Sequence, residues 1–156
     1  MGNCYLIMLF PNIFSYELFE LYLPGSSWNP SNEIKASTDM EDFHGRKTYA
    51  TSTAGGYYAA RLPILEYLEK EKRQASVLAI RIELPSYWAA LGVWVVRESV
   101  KKAMENKKFS FADMKELLES TRKIGMIKFG YDPEKIIKKS KILENIKNQS
   151  TLGKWV

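Results

Sequence analysis

The sequence predicts an α+β fold: a single domain with a mixed or antiparallel sheet packed against several helices. Three observations carry this. Apolar, strand-length runs crowd the first part of the chain, and helical periodicity dominates the second. Strands come first and then helices, with one clean strand between them, which argues against a doubly wound sheet. A length of 156 residues, 46% hydrophobic and 26% charged, suits one ordinary globular domain with a real core.

The elements follow in order. Cys4 to Phe10 is a continuous apolar run closed by Pro11-Asn12, as in a strand buried on both faces. Such a strand rarely opens a domain, which points to a segment upstream. Residues 13–23 form an aromatic-rich second strand broken by Glu17 and Glu20. Pro24-Gly25-Ser26-Ser27 is a turn, with Trp28 after it. Residues 33–38 form a short strand, 39–47 a polar loop and 48–53 a Thr-rich edge strand. After Gly55-Gly56 a helix reaches about Arg73, with Tyr58, Leu62, Leu65 and Leu68 on one face and Pro63 as a kink. Residues 76–84 alternate: Leu78, Ile80, Ile82 and Leu84 on one side, Ala79, Arg81 and Glu83 on the other. Pro85 ends that strand, and Tyr87-Trp88 form an aromatic turn.

A helix is expected over 92–106, with Val93, Val96, Val100 and Ala103 as its stripe. Another spans 110–124, capped by Ser110 and stopped by Gly125. Residues 127–131 read as a last short strand, and Asp132-Pro133 open a helix to about Asn145. Trp28, Trp88 and Trp94 are assigned to the core.

The net charge of +5 is unevenly spread. Residues 1–60 hold three basic and six acidic groups, and residues 61–156 hold 20 basic and 12 acidic groups, a net +8. A basic half suits a phosphate-bearing partner, although lysines alternating with glutamates also describe a solvated helical surface. Cys4 is the one cysteine and His44 the one histidine. This chain cannot close a disulfide or build a four-ligand zinc site alone, so no metal or cofactor is expected, and a reducing, cytoplasmic setting fits. Met1-Gly2-Asn3-Cys4 hints at acylation, but Leu6 stands where Ser or Thr is wanted. No run is long enough to span a bilayer.

The central stretch combines Gly45-Arg46-Lys47 with Gly55-Gly56-Tyr57-Tyr58-Ala59-Ala60-Arg61. Asp39, Glu41 and Asp42 are the kind of acids that hold a hard cation for phosphodiester chemistry. Arg46 and Lys47 suit phosphates, and Lys47 suits Schiff-base attack at an abasic site. Tyr57 and Arg61 stand i, i+4 and suit a nucleotide clamp. Arg97-Glu98 offers a second charge pair. The alternative is structural: acids decorating a loop, Arg61 paired with Glu98, and glycines permitting tight packing. Catalytic candidates are Lys47, Asp39 and Asp42; DNA-binding candidates are Arg46, Lys47, Tyr57 and Arg61.

The chain ends Gln149-Ser150-Thr151-Leu152-Gly153-Lys154-Trp155-Val156. This resembles the peptide by which proteins bind the sliding clamp PCNA. Leu152 and Trp155, i and i+3, share one side of a tight turn and plug an apolar pocket, with Gln149 at its edge. Val156 stands where a second aromatic is usual. The alternative is a terminus that packs Trp155 on its own domain.

Several blocks together resemble the archaeal Nre family of DNA repair proteins: residues 14–20, 24–28, 45–47, 55–62 and 92–98. The resemblance spans nearly the whole chain and fits the C-terminal two-thirds of family members. It implies a role in archaeal DNA repair, coupled to PCNA through the C-terminal peptide and acting beside excision-repair proteins. The family's N-terminal cysteine-rich, zinc-binding segment has no counterpart here, so the chain reads as a fragment or truncated member. The expected organisation is an Nre-type domain at 1–147 and a flexible clamp-binding tail at 148–156. Catalysis stays open, with a nuclease or abasic-site (AP) lyase as the alternative to a DNA-binding module.

Overall fold

The computed structural model describes residues 2–87 and 92–153, with side chains as far as Gln149. Trp88, Trp155 and Val156, and the side chain of Leu152, lie outside the described residues.

The spine is β4 (Ser76–Glu83), buried along its whole length. It pairs antiparallel with β1 (Asn3–Phe10) and parallel with β2 (Ser15–Tyr22). β2 in turn pairs antiparallel with β3 (Lys35–Glu41). The four-stranded sheet therefore runs β1-β4-β2-β3 and is mixed.

Both faces are covered, which explains the continuous burial of β2 and β4. On one face Tyr16, Leu18, Val77 and Ala79 meet α1 (Ala54–Glu71) and α2 (Val93–Glu105). On the other, Phe19, Leu21, Leu78, Ile80 and Ile82 meet α3 (Met114–Phe129), α4 (Glu134–Lys139) and α5 (Lys141–Gly153). The alternation expected along 76–84 is the one observed.

Several expectations change. Glu17 and Glu20 do not break β2; both are buried within it, because each finds partners there. Residues 48–53 are not a strand, since Asp39 draws in Thr53 and Arg46 holds the carbonyl of Thr48. The buried side of α1 is Tyr57, Ala60, Ile64 and Leu68, which leaves Leu62 exposed. α1 also runs on through Pro63.

Asp113, not Ser110, caps α3: its Oδ1 accepts the Glu116 amide at 2.9 Å, and Glu116 returns a carboxylate to the Ala112 amide at 3.2 Å. Residues 127–129 are helical rather than extended, and Gly130 ends α3 in the left-handed conformation at φ 66°. Gly125 lies inside the helix because the returning chain crosses it; a Cβ there would meet the Tyr131 carbonyl at 2.6 Å. The helix expected to end near Asn145 is two helices, broken at the extended backbone of Ser140. The second continues to Gly153. Among the described residues no helix is long and apolar enough to cross a membrane.

Candidate functional site

β3 alternates, so Asp39 and Glu41 share the face that looks onto α1. Asp39 Oδ2 accepts the Thr53 amide at 2.6 Å and its hydroxyl at 2.9 Å, and Oδ1 pairs with Arg46 at 3.5 Å. Glu41 Oε1 takes Arg61 Nε at 2.7 Å, and Oε2 accepts the Tyr57 hydroxyl at 3.2 Å. Burial first, and then Glu41, push the Tyr57 phenol well above its ordinary range. Arg46 also donates to the carbonyls of Met40 at 2.8 Å and Thr48 at 3.0 Å.

The fold thus gathers Asp39, Glu41, Arg46, Tyr57 and Arg61 into one network. Its charges pair with one another, with Arg46 and Arg61 still partly exposed. Tyr57 has no exposed surface for a nucleotide; its ring packs tilted against Tyr16 with centroids 4.9 Å apart. Arg61 pairs with Glu41, not Glu98, which instead meets Arg97 at 3.4 Å on the surface. Asp42 lies past the end of β3 and accepts the His44 amide at 2.8 Å. Asp39, Glu41 and Asp42 therefore do not converge as cation ligands; among the described residues no group of three His, Cys, Asp or Glu is placed to hold a metal ion. Lys47 is exposed and shares with Glu41, Asp42, Arg46 and Asn145 an open groove of about 410 Å³.

A second site was not anticipated. The N-terminal ends of α1 and α2 converge over the ends of β2 and β4 and leave a cavity of about 300 Å³. Glu20 and Arg81 line it, with Tyr22, Trp28, Tyr87 and Val93. Glu20 and Arg81 are register partners across the parallel ladder. Arg81 Nη1 donates to Glu20 Oε1 at 2.9 Å and its Nε to Asn3 Oδ1 at 2.7 Å, and Nη2 lies 3.5 Å from Glu83 Oε2. The Tyr22 hydroxyl donates to Glu20 Oε2 at 2.8 Å. Burial raises the Glu83 carboxyl above the usual range, with Arg81 opposing the shift.

Gly56 makes room for this arrangement, since a Cβ there would sit 2.1 Å from Glu20 Oε1. The available signal was charge inside apolar strands: Glu20 in β2, and Arg81 and Glu83 in β4. Trp28 and Trp94, expected in the core, are 60% and 57% exposed, because the turn after β2 and the first turn of α2 carry them outside the helical layer.

At the far end, Gln149 lies exposed on α5, and its Oε1 accepts the Asn12 side-chain amide at 2.9 Å.

The family model for the C-terminal part of archaeal Nre proteins matches residues 41–155. The chain belongs to the Nre family. Among its Nre relatives, the DNA repair protein NreA of Haloferax volcanii is 43% identical over 108 residues, 68% of this chain and 26% of the relative. NreA of Archaeoglobus fulgidus is 45% identical over 106 residues, 68% of this chain and 27% of the relative. NreB of the same organism is 36% identical over 116 residues, 74% of this chain and 29% of the relative. The matched part of the chain thus spans 26% to 29% of these curated relatives. No solved structure matches the chain. The Nre match covers Glu41, Arg46, Tyr57, Arg61 and the helices, and it begins after Glu20, Tyr22, Trp28 and Asp39.

Proposed function

We propose that this Nre chain is a DNA-binding module of a cytoplasmic repair protein, recruited to the sliding clamp PCNA by Gln149–Val156. The observation that carries the reading is the terminal helix. α5 continues to Gly153, so the clamp-type peptide begins on helical backbone, with Gln149 exposed. In the sequence, Leu152 and Trp155 then follow at the spacing of one helical turn. A role in DNA repair is supported by the relatives, which are named DNA repair proteins. DNA contact is supported by the net +8 of residues 61–156 and by exposed Lys47 in its groove.

The binding module is preferred to a nuclease or AP lyase because Asp39 is occupied by Thr53 and Arg46, and Glu41 by Tyr57 and Arg61. Excision-repair proteins are the natural companions of such a module. The test compares PCNA binding by the intact chain and by Trp155→Ala, and measures duplex DNA binding as salt is raised. Equal clamp affinity sinks the recruitment half. Absence of salt-sensitive DNA binding sinks the other.

A further inference from the structure

The cavity between the heads of α1 and α2 has no part in the reading above, yet it has the marks of a ligand site. At about 300 Å³ it stands at the small end of the roughly 300–1,000 Å³ range of ligand pockets, room for one ring system. Its floor holds the buried Glu20–Arg81 pair, with Glu83 behind. Two carboxylates face one guanidinium, so the floor favours a donor over an anion. Each Glu20 oxygen takes one bond, from Arg81 or from Tyr22, and keeps accepting capacity for a second.

The polar shell around this pair is loosely bonded. Among the described residues, Asn3 Nδ2, Tyr5 Oη, Ser26 Oγ and Glu83 Oε1 are buried without a close hydrogen bond, and pair only loosely, Tyr5 with Asn3 and Ser26 with Glu83. Asn3 and Glu83 contact Arg81 directly, and Tyr5 and Ser26 adjoin the same group through Arg81 and Glu83. At the mouth, the Trp28 indole is largely exposed beside Val93.

We propose that this cavity receives a single unstacked nucleobase, with its ring face against Trp28 and its exocyclic amine donating to Glu20. The proposal rests on the DNA reading for its source, a base extruded from a duplex. The same chemistry also admits a free nucleotide. A hydrogen-bonded exocyclic amine favours adenine and cytosine over thymine, and stacking on Trp28 is indifferent to the rest of the base.

The test titrates the full chain with dAMP, dCMP, dTMP and deoxyribose 5-phosphate. A second arm uses a duplex with one mismatched adenine and its fully paired counterpart. dAMP and dCMP are expected to bind more tightly than dTMP, the sugar phosphate not to compete, and the mismatched duplex to bind more tightly than the paired one. Trp28→Ala, at an exposed position, weakens dAMP and the mismatched duplex by about tenfold, as loss of a stacking partner does, and Trp28→Phe restores most of it. Binding of dAMP without any binding of DNA keeps the pocket, assigns it a free nucleotide and removes the DNA reading. Salt-sensitive DNA binding that Trp28→Ala leaves unchanged, with no binding of dAMP, overturns the pocket and leaves the DNA reading standing. dAMP binding insensitive to both Trp28→Ala and Glu20→Gln also overturns it.

Discussion

Glu17 Oε2 accepts the Ser140 hydroxyl at 2.6 Å, across 123 residues of chain. The same carboxylate accepts the amides of Lys141 and Ile142 at 3.2 Å each. A buried acid in β2 therefore caps α5, the helix that leads into the clamp-type peptide. A carboxylate suits this place, because the first amides of a helix lack internal acceptors and carry partial positive charge.

Glu17→Ala removes three acceptor contacts at once and leaves buried donors unpaired. The expected loss is about 3 kcal/mol, read as a lower urea midpoint at unchanged slope. Glu17→Gln keeps one acceptor oxygen and loses less. A Glu17→Ala chain as stable as the parent refutes the cap.

Gly56→Ala drives a methyl into Glu20 and is expected to cost about 2 kcal/mol as overpacking. In a Glu20→Ala background the obstacle is gone. There the same change should gain roughly 0.5–1 kcal/mol, because alanine is the better helix former. Thermal or urea unfolding of the four proteins gives the cycle. A cost unchanged between the two backgrounds rules out contact with Glu20 as its origin.

Arg61→Ala strands Glu41, whose side chain is 4% exposed, but Arg61 itself is 33% exposed and partly screened. A stability loss of about 1–2 kcal/mol is expected, discounted from the cost of breaking a fully buried pair. Lys47→Ala should leave stability unchanged and lower the slope of log affinity for DNA against log salt by about 1. If Arg61→Ala moves the salt slope and not the unfolding midpoint, its assignment to the internal network fails.

Tyr5, Tyr16, Tyr22, Tyr57 and Tyr131 all have phenol pKa values raised by burial first. Their folded pKa lies above the unfolded value near 10, so the fold favours the protonated form and stability falls as pH rises past 10. Ultraviolet titration should show these five phenolates appearing above pH 10, together with loss of the folded circular dichroism signal. Ionisation of all nine tyrosines near pH 10 in a still-folded chain contradicts this burial.

Much of the fold was legible because strand periodicity is local. Leu78, Ile80 and Ile82 announce one face of β4, and the run to Phe10 announces β1. The stripe of α1 was not: Tyr57, Ala60 and Ile64 face the sheet, and the bulkier Leu62 does not. Gly56 and Ala60 let the helix approach closely, so small residues mark its inner face. Asp39 and Glu41 looked like loop acids because their partners, Thr53, Arg46 and Arg61, come from a later segment.

By itself the sequence determined the strand and helix content, the α+β class, the Nre family blocks and the spacing of Gln149, Leu152 and Trp155, all of which depend on neighbours in the chain. Only the tertiary structure decided that Arg46 and Arg61 are neutralised within the fold, that Glu17 caps α5, and that Glu20 meets Arg81 below a cavity. The physical reason is that an ionic group's role is set by the partner that compensates its burial. For Glu20 and Arg81 that partner lies 61 residues away and is brought alongside by strand register.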